Sequence, residues 1–357
     1  MLKAVDFFSG AGGMTCGLRQ AHIKVLGGID IESQFGKSYE ASNPGSKFLE
    51  RDISKYQPYQ LQSDLGLDIN DDELVLVGCS PCQYWSSINT NRHNGSYTKN
   101  LLEDFHRFVD YFNPGYVVVE NVPGFRKKPG NYVLLNFLDF LTTRGYSFHE
   151  DVVNVMDYGV PQSRKRYHLI ATRMSTEAPY PVRRTREGLT VRNFIGRFNF
   201  LKSGETDQSD HLHTAARLTP LNLKRIQSTS HNGGNRLEWA NEEELQLNCF
   251  KGKDHIFRDV YARMYWDRQA PTITTRFNSI SNGRFGHPEQ DRGLSLREGA
   301  TLQTFPLDYI FLGNQASIAK QIGNAVPPNF AKHIGLALTN HHNAWRNLKQ
   351  EQEHLTY

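Results

Sequence analysis

The chain has 357 residues, more than one domain usually holds, so a large core with a second lobe is expected. At 38% hydrophobic and 22% charged it has the composition of a water-soluble globular protein, and no apolar run nears the ~20 residues that span a bilayer. The net charge of +4 is mild and excludes little, but nine Arg and Lys face two acids between residues 161 and 200, an excess that suits a polyanion as well as a solvated loop. Four cysteines, Cys16, Cys79, Cys82 and Cys249, are too few for a disulfide framework. The opening MLKAVDFFSGAGG has no secretory pattern, so a reducing, cytoplasmic setting is expected.

In chain order, β-rich runs alternate with amphipathic stretches: residues 4–8 then 14–21, 25–29 then 35–41, 74–77 then about 99–112, 116–119 then 132–143. Strands follow at 152–155 and 167–171. Continuous apolar strands between helical patterns predict an α/β fold with a doubly wound, mostly parallel sheet covered on both faces. After about residue 172 the chain turns to Arg, Asn, Gly, Ser and His with weak periodicity, and a helical pattern returns at 317–338. The expected organisation is a cofactor-binding domain at 1–175, a smaller loop-rich insert at 176–310, and a return to the first domain at 311–357.

The first strand runs into Phe7-Phe8-Ser9-Gly10-Ala11-Gly12-Gly13, where glycines let backbone approach a ligand at the carboxyl edge of a sheet. Thr15 stands where a dinucleotide fingerprint wants a third glycine, which counts against NAD. Asp30 ends the second strand about 20 residues on, where a carboxylate can grip ribose hydroxyls. Together they predict a nucleoside-containing cofactor, with a ligand-free tight turn as the plain alternative.

Cys79 and Cys82 in GCSPCQ follow the apolar run 74–77. A zinc site would need a second pair of ligands, and no second cysteine pair exists. A thioredoxin-like dithiol, its thiolate favoured by a helix N-terminus, remains open. The other reading has one activated sulfur, Cys82 in the Pro81-Cys82-Gln83 turn, with Cys79 a small buried hydrophobe. Glu120, in ENV at the tip of a buried strand, lies where burial lifts a carboxylate toward proton donation near neutral pH; a capping or solvated role is the alternative. Arg164 and Arg166 in QSRKR are two apart, so an extended chain puts them on one face, able to present donors to a phosphate or base carbonyl.

These motifs, with the stretch Arg297-Glu298-Gly299-Ala300 to Leu302-Gln303-Thr304-Phe305-Pro306 and with Gln321-Ile322-Gly323-Asn324-Ala325-Val326-Pro327-Pro328, resemble in their order those of the DNA (cytosine-5) methyltransferases, in the compact restriction-modification form of bacteria and phages. The resemblance covers nearly the whole chain apart from about 175–260. It implies a Rossmann-like, class I S-adenosylmethionine-dependent methyltransferase fold, and methyl transfer from S-adenosylmethionine to C5 of a flipped-out cytosine in a short duplex DNA sequence. On the family's pattern Cys82 adds to C6, Glu120 protonates N3, and Arg166 with Arg164 holds the base or its flanking phosphate.

By the same transfer Phe8 stacks on the cofactor's adenine and the loop of Ser9, Gly10, Gly12 and Gly13 meets its methionine portion. Asp30, with Ile31 beside it, takes the ribose; Asp52 and Ile53 take the adenine edge; Pro81, Asn324 and Val326 complete the pocket. Residues 83–100 have the content of a loop that closes over DNA, with Gln83 and Ser86 touching it. The insert becomes a target recognition domain. Its segments 274–285, through Arg276, Asn278, Ser281 and Arg284, and 231–236 (HNGGNR) are expected to read base edges. His211, His213, His255 and His287 are expected at the surface or on phosphates, with no metal site. The implied partner is double-stranded DNA, bound by a monomer, with a restriction endonuclease as functional counterpart. A transfer RNA cytosine-5 methyltransferase and a catalytically silent DNA-binding homologue are the alternatives.

Overall fold

The structure, a computed structural model, describes residues 1–80, 101–127, 132–252 and 255–355. Seven strands form one sheet: β1 (Lys3–Phe7), β2 (Lys24–Asp30), β3 (Lys47–Glu50), β4 (Leu74–Gly78), β5 (Tyr116–Asn121), β6 (Ser147–Asn154) and β7 (Lys165–Thr172). Their order is β3-β2-β1-β4-β5-β7-β6. Neighbours run parallel except β7, which is antiparallel to both β5 and β6. The winding reverses between β1 and β4, and a doubly wound sheet binds its ligands in the crevice at the carboxyl ends beside that switch.

Between the strands lie α1 (Gly13–Gln20), α2 (Gly36–Ser42), α3 (Pro58–Leu65), α4 (Leu101–Phe112), α5 (Gly124–Lys127) and α6 (Tyr132–Thr143). The central strands β4 and β5 are buried along their whole length, as the unbroken apolar runs require. Phe7 meets Phe105 and Phe108 of α4 edge-on, with ring centroids 5.1 and 4.9 Å apart. Phe112, Phe137 and Tyr167 extend the same core. The short edge strand β3 and the helix α3 were not legible in the periodicity, because KFLE lies on a half-covered edge and alternates no buried face.

The chain divides into two compact units. The first, Met1–Tyr158, Lys165–Arg184 and Val326–Tyr357, holds the sheet; the second is Gly159–Arg164 and Thr185–Ala325. The main stretch of the second unit begins at Thr185 and ends at Ala325, later than the 176 and 310 expected, and the short stretch Gly159–Arg164 ahead of β7 joins it. Residues past β7 stay with the sheet because Arg173 donates to the carbonyls of Asn113 (3.0 Å) and Asn70 (2.9 Å) and pairs with Asp72 at 2.7 Å. The helical pattern at 317–338 is two helices, α10 (Gln315–Asn324) and α11 (Pro328–Leu355), not one. Pro327 has no N–H to continue a helix, and Pro328 occupies the first-turn position where none is needed. Helix α10 packs on α9 (Leu296–Leu302) in the second unit, whereas α11 packs on α1 in the first. No described helix is long and apolar enough to cross a membrane.

The second unit has few ladders: α7 (Val191–Ile195), α8 (Pro220–Gln227), α9, α10 and single turns around a small core of Ile226, Trp239, Leu245, Tyr261 and Ile280. Buried carbonyls without a ladder need other donors, and arginines supply them. Arg263, fully buried, donates from Nε to Thr229 O (2.9 Å), from Nη1 to His287 O (3.1 Å) and Gln290 O (2.6 Å), and from Nη2 to Ile226 O (2.7 Å), and it pairs with Asp291. Arg225 holds Leu245 O, Arg236 holds Ile256 O, and Arg292 grips both oxygens of Glu298 at 2.8 Å. These four arginines are internal scaffolding, whereas of the nine Arg and Lys between residues 161 and 200 only Arg164 is buried.

The histidines carry a pH prediction. Burial pushes His168 of β7 down to about 4, and neither ring nitrogen has a hydrogen-bond partner among the described residues. Burial likewise pushes His287 down to about 3, against the pull of Glu298. The unfolded chain takes up protons below pH ~6.5 that these rings refuse, so stability falls as pH drops from ~6.5 toward the folded values. His168 alone should cost about 2 kcal/mol at pH 5. Urea unfolding at pH 7 and pH 5 measures the loss, and His168→Phe should shrink it; an unchanged difference in that variant would show that the proton goes elsewhere.

Candidate active site

The candidate cofactor crevice is built from backbone at the ends of β1 to β3. After Phe7 the chain turns through Phe8, held at a positive φ of 61°, and Gly12, at φ 92°, opens α1 in a left-handed conformation suited to glycine. Ser9 N–H donates to Ile29 O at 3.0 Å, and Gly10 N–H to Asp30 Oδ2 at 2.8 Å, so the loop is tied to the tip of β2. Asp30 also accepts Glu32 N–H through Oδ1 at 2.9 Å, and burial raises its pKa against those two bonds. Ile31 beside it is 56% exposed, an apolar side chain that a buried ligand would cover. Ser9 Oγ is buried with no hydrogen-bond partner among the described residues. At the end of β3, Asp52 accepts from Ser54 N and Oγ, and buried Ile53 is held through its carbonyl by Arg107 at 2.7 Å.

A layer beneath the loop was missed in the sequence. Asp6 Oδ2 accepts both Thr15 N–H (3.2 Å) and Thr15 Oγ1–H (2.8 Å), and Tyr39 O–H lies 3.1 Å from Thr15 Oγ1. Burial lifts Asp6 to about 7 despite the Thr15 bonds. Thr15, which cost the dinucleotide reading its third glycine, is thus the anchor of this layer. The available signal was an acid in the middle of an apolar strand.

The candidate catalytic edge lies where β4, β5 and β7 adjoin. Asn121 Nδ2 donates to Ser80 Oγ (3.0 Å) and to Ser80 O (3.4 Å), while its Oδ1 accepts Val122 N–H at 2.8 Å. Asn121 therefore ties the tip of β5 to Ser80, the last described residue before the cysteine turn. Glu120, 7% exposed, pairs through Oε1 with Arg166 Nε at 3.0 Å. The antiparallel register that sets His168 opposite Glu120 puts Arg166 on the same face. Desolvation, reinforced by the charges of Glu120 and Asp6, pushes the Cys79 thiol well above the ordinary range. A dithiol redox pair needs a stabilised thiolate, and this field opposes one at Cys79. Cys82, Pro81, Gln83 and Ser86 lie outside the described residues.

Several expectations need correction. Arg164 precedes β7 and is buried, donating to Ile273 O (3.0 Å) and Ala325 O (3.3 Å); its guanidinium is committed to scaffold carbonyls rather than offered on one face with Arg166. Gln162 is likewise buried, donating to Gln303 Oε1 (2.7 Å) and Leu302 O (3.0 Å) and accepting Ile273 N–H. Arg284, expected to read bases, donates to Gly233 O (2.9 Å) and Arg263 O (2.8 Å). Arg276 is exposed, as is Ser281, whose Oγ lies 3.0 Å from Ser279 Oγ; Asn278 is half-buried. His213 and His287 are buried rather than at the surface: His213 bridges Ser295 Oγ (2.8 Å) and Asn199 O (2.9 Å), and His287 accepts from Gln290 N at 2.9 Å. His211 and His255 are exposed. Asn324 is exposed at the end of α10 in the second unit, and Val326 is buried at the start of the first unit's last segment. Among the described residues no group of three His, Cys, Asp or Glu could hold a metal ion.

The sheet order and its antiparallel β7 are those of class I S-adenosylmethionine-dependent methyltransferases. A prophage-encoded protein of E. coli superposes with a TM-score of 0.72 over 95% of this chain and 99% of its own, at 20% identity. The Entamoeba histolytica methyltransferase EhMeth gives 0.66 over 95% and 98%, at 15% identity. At the level of sequence, residues 2–340 match the C-5 cytosine-specific DNA methylases, and the chain belongs to that family. The Type II methylase M.HgiDII of Herpetosiphon aurantiacus is 40% identical over 340 residues, 94% of each chain. The Type II methyltransferase M1.BsuMI of Bacillus subtilis is 30% identical over 352 residues, 94% of this chain and 80% of that one.

Proposed function

We propose that this DNA (cytosine-5) methyltransferase acts on a flipped-out cytosine in a short duplex sequence through a transient bond between Cys82 Sγ and C6, and that its methylation protects host DNA from a cognate restriction endonuclease. The observation that carries the reading is the Glu120–Arg166 ion pair at the tip of β5, next to the Asn121–Ser80 clamp that leads to Cys82. The two Type II relatives support the protective role.

The crevice residues suit S-adenosylmethionine. The orphaned Ser9 Oγ, exposed Ile31, the left-handed glycine turn and the Asp30 carboxylate offer polar and apolar partners at the sheet's carboxyl edge. Phe8, Asp30, Ile31, Asp52 and Ile53 would hold its adenosine part and the 9–13 loop its methionine part. When bound, it supplies an electrophilic methyl group. The chain's own residues supply the rest. Cytosine C5 is a weak nucleophile until the ring's aromaticity is broken, and addition of Cys82 Sγ at C6 breaks it. Glu120 hydrogen-bonds and protonates N3, so that negative charge does not accumulate on the ring. Arg166 orients Glu120 and places a fixed positive charge beside it. Once C5 carries the methyl group, loss of the C5 proton to solvent, expulsion of Cys82 as a thiolate and return of the N3 proton to Glu120 restore the aromatic ring.

Incubation with tritiated donor should label duplex DNA and leave transfer RNA unlabelled. Duplex containing 5-fluorocytosine at the target position should give a denaturant-resistant adduct that Cys82→Ser abolishes. Label confined to transfer RNA would replace the substrate, and an adduct persisting in Cys82→Ser would remove the nucleophile. Bisulfite sequencing of DNA from expressing cells then reads the target sequence.

A further inference from the structure

We infer that Arg268, stacked on Tyr265 in the second unit, is a base-reading residue that sets the target sequence. The inference rests on the duplex-DNA reading above. Arg268 is exposed, and its guanidinium carbon lies 4.1 Å from the centroid of the half-buried Tyr265 ring. At that distance the guanidinium sits over the ring, a cation–π contact that restrains the planar fork and lowers the rotamer entropy lost when it forms bonds.

The surroundings hold this pair in place. A Cβ on Gly233 would lie 1.9 Å from Tyr265 Cε1, and φ there is +115°, so only glycine lets the 231–236 loop close against the ring. Arg284 reaches the same ring, 5.2 Å from its centroid, while donating to the carbonyls of Gly233 and Arg263. The backbone is pinned too: Val191 N–H donates to Arg268 O at 2.9 Å, Arg192 N–H to Trp266 O at 2.8 Å, and Trp266 N–H to Asn232 Oδ1 at 2.7 Å.

The neighbouring cations are already engaged. Arg192 pairs with both oxygens of Asp267 at 2.7 and 3.1 Å, and Arg284 is bound to carbonyls. Arg268 has no hydrogen bond or ion pair to its guanidinium among the described residues, and exposed His231 and Asn232 belong to the loop that abuts its ring partner. An oriented fork with uncommitted donors on a fixed backbone matches guanine O6 and N7, the pair of acceptors an arginine reads in two bonds in the major groove.

The test compares methyl transfer by wild type and variants on the unmethylated cognate duplex, its sequence read by bisulfite sequencing, and on duplexes changed at each guanine of the site. Arg268→Ala should lower kcat/KM on the cognate duplex about 10- to 100-fold and relax discrimination at one guanine position, with the salt dependence of binding nearly unchanged. Arg268→Lys, which keeps the charge without the fork, should behave alike. Tyr265→Phe should keep discrimination and Tyr265→Leu should lose it. A phosphate contact would instead weaken binding to all sequences equally and reduce the salt slope by about one, which overturns the inference. Unchanged rate and motif in Arg268→Ala, with an unchanged thermal transition, overturns it as well. Absence of methylation by the wild type on any duplex would overturn the underlying reading first, and this one with it.

Discussion

Glu120→Gln should lower the single-turnover rate of methyl transfer by about 10²- to 10⁴-fold, the range for loss of a positioned general acid. Glutamine keeps the volume and an acceptor oxygen, so the tip of β5 and its hydrogen bonds with β7 should survive. What it lacks is a proton to deliver to N3 and a charge for Arg166, whose Nε lies 3.0 Å from Oε1. The site is dry at both ends of that pair, with side chains 9% and 14% exposed, so water is a poor substitute for the missing carboxyl. Binding to duplex DNA should change far less than the rate, because the loss falls on the step in which the ring gains charge. Arg166→Lys should fall between wild type and Glu120→Gln, since an ammonium keeps the charge but loses the planar fork. A Glu120→Gln rate within a factor of ten of wild type would end the assignment of the carboxyl as the proton donor.

Arg263→Met should destabilise the second unit by about 3–5 kcal/mol, the usual cost of removing one partner from a buried charged network. The carbonyls of Thr229, Ile226, His287 and Gln290 lose their donor together, and Asp291 loses its counter-charge. Methionine fills the volume, so the loss reports hydrogen bonds and charge rather than a cavity. Lysine should not rescue it, because an ammonium cannot reach carbonyls arranged around a planar fork. Trp239 is the natural reporter, its Nε1 donating to Thr229 Oγ1 at 3.0 Å within the same network. Denaturant unfolding followed by its fluorescence should show the shift, whereas exposed Arg276→Ala should move the same transition by less than about 0.5 kcal/mol. Equal stability of the two variants would show that the buried guanidinium holds nothing together.

The two predictions bear on different parts of what the residue order could reveal. Strands β4 and β5 were legible because a strand buried on both faces is apolar nearly throughout, β1, β2 and β7 from shorter apolar runs, and helix α6 from its period. The positions of Glu120 and the glycine turn at strand ends were legible as well, because each directly follows an apolar run. The antiparallel direction of β7 was not, since an apolar strand looks the same run either way. Nor was the break between α10 and α11 taken from Pro327 and Pro328, although the signal was present.

By itself the sequence determined the doubly wound core, the glycine turn after β1 and the ordered motifs that place the chain among the cytosine-5 methylases, because these depend on residues near one another in the chain. Only the tertiary structure decided what each arginine meets. Arg263 and Arg284 are bound to carbonyls from segments remote in sequence, Arg166 to a carboxylate on the adjacent strand, and Arg268 to the face of a tyrosine. Those partners are met only on folding, and an arginine's neighbours in the sequence carry no record of what will lie across from its guanidinium.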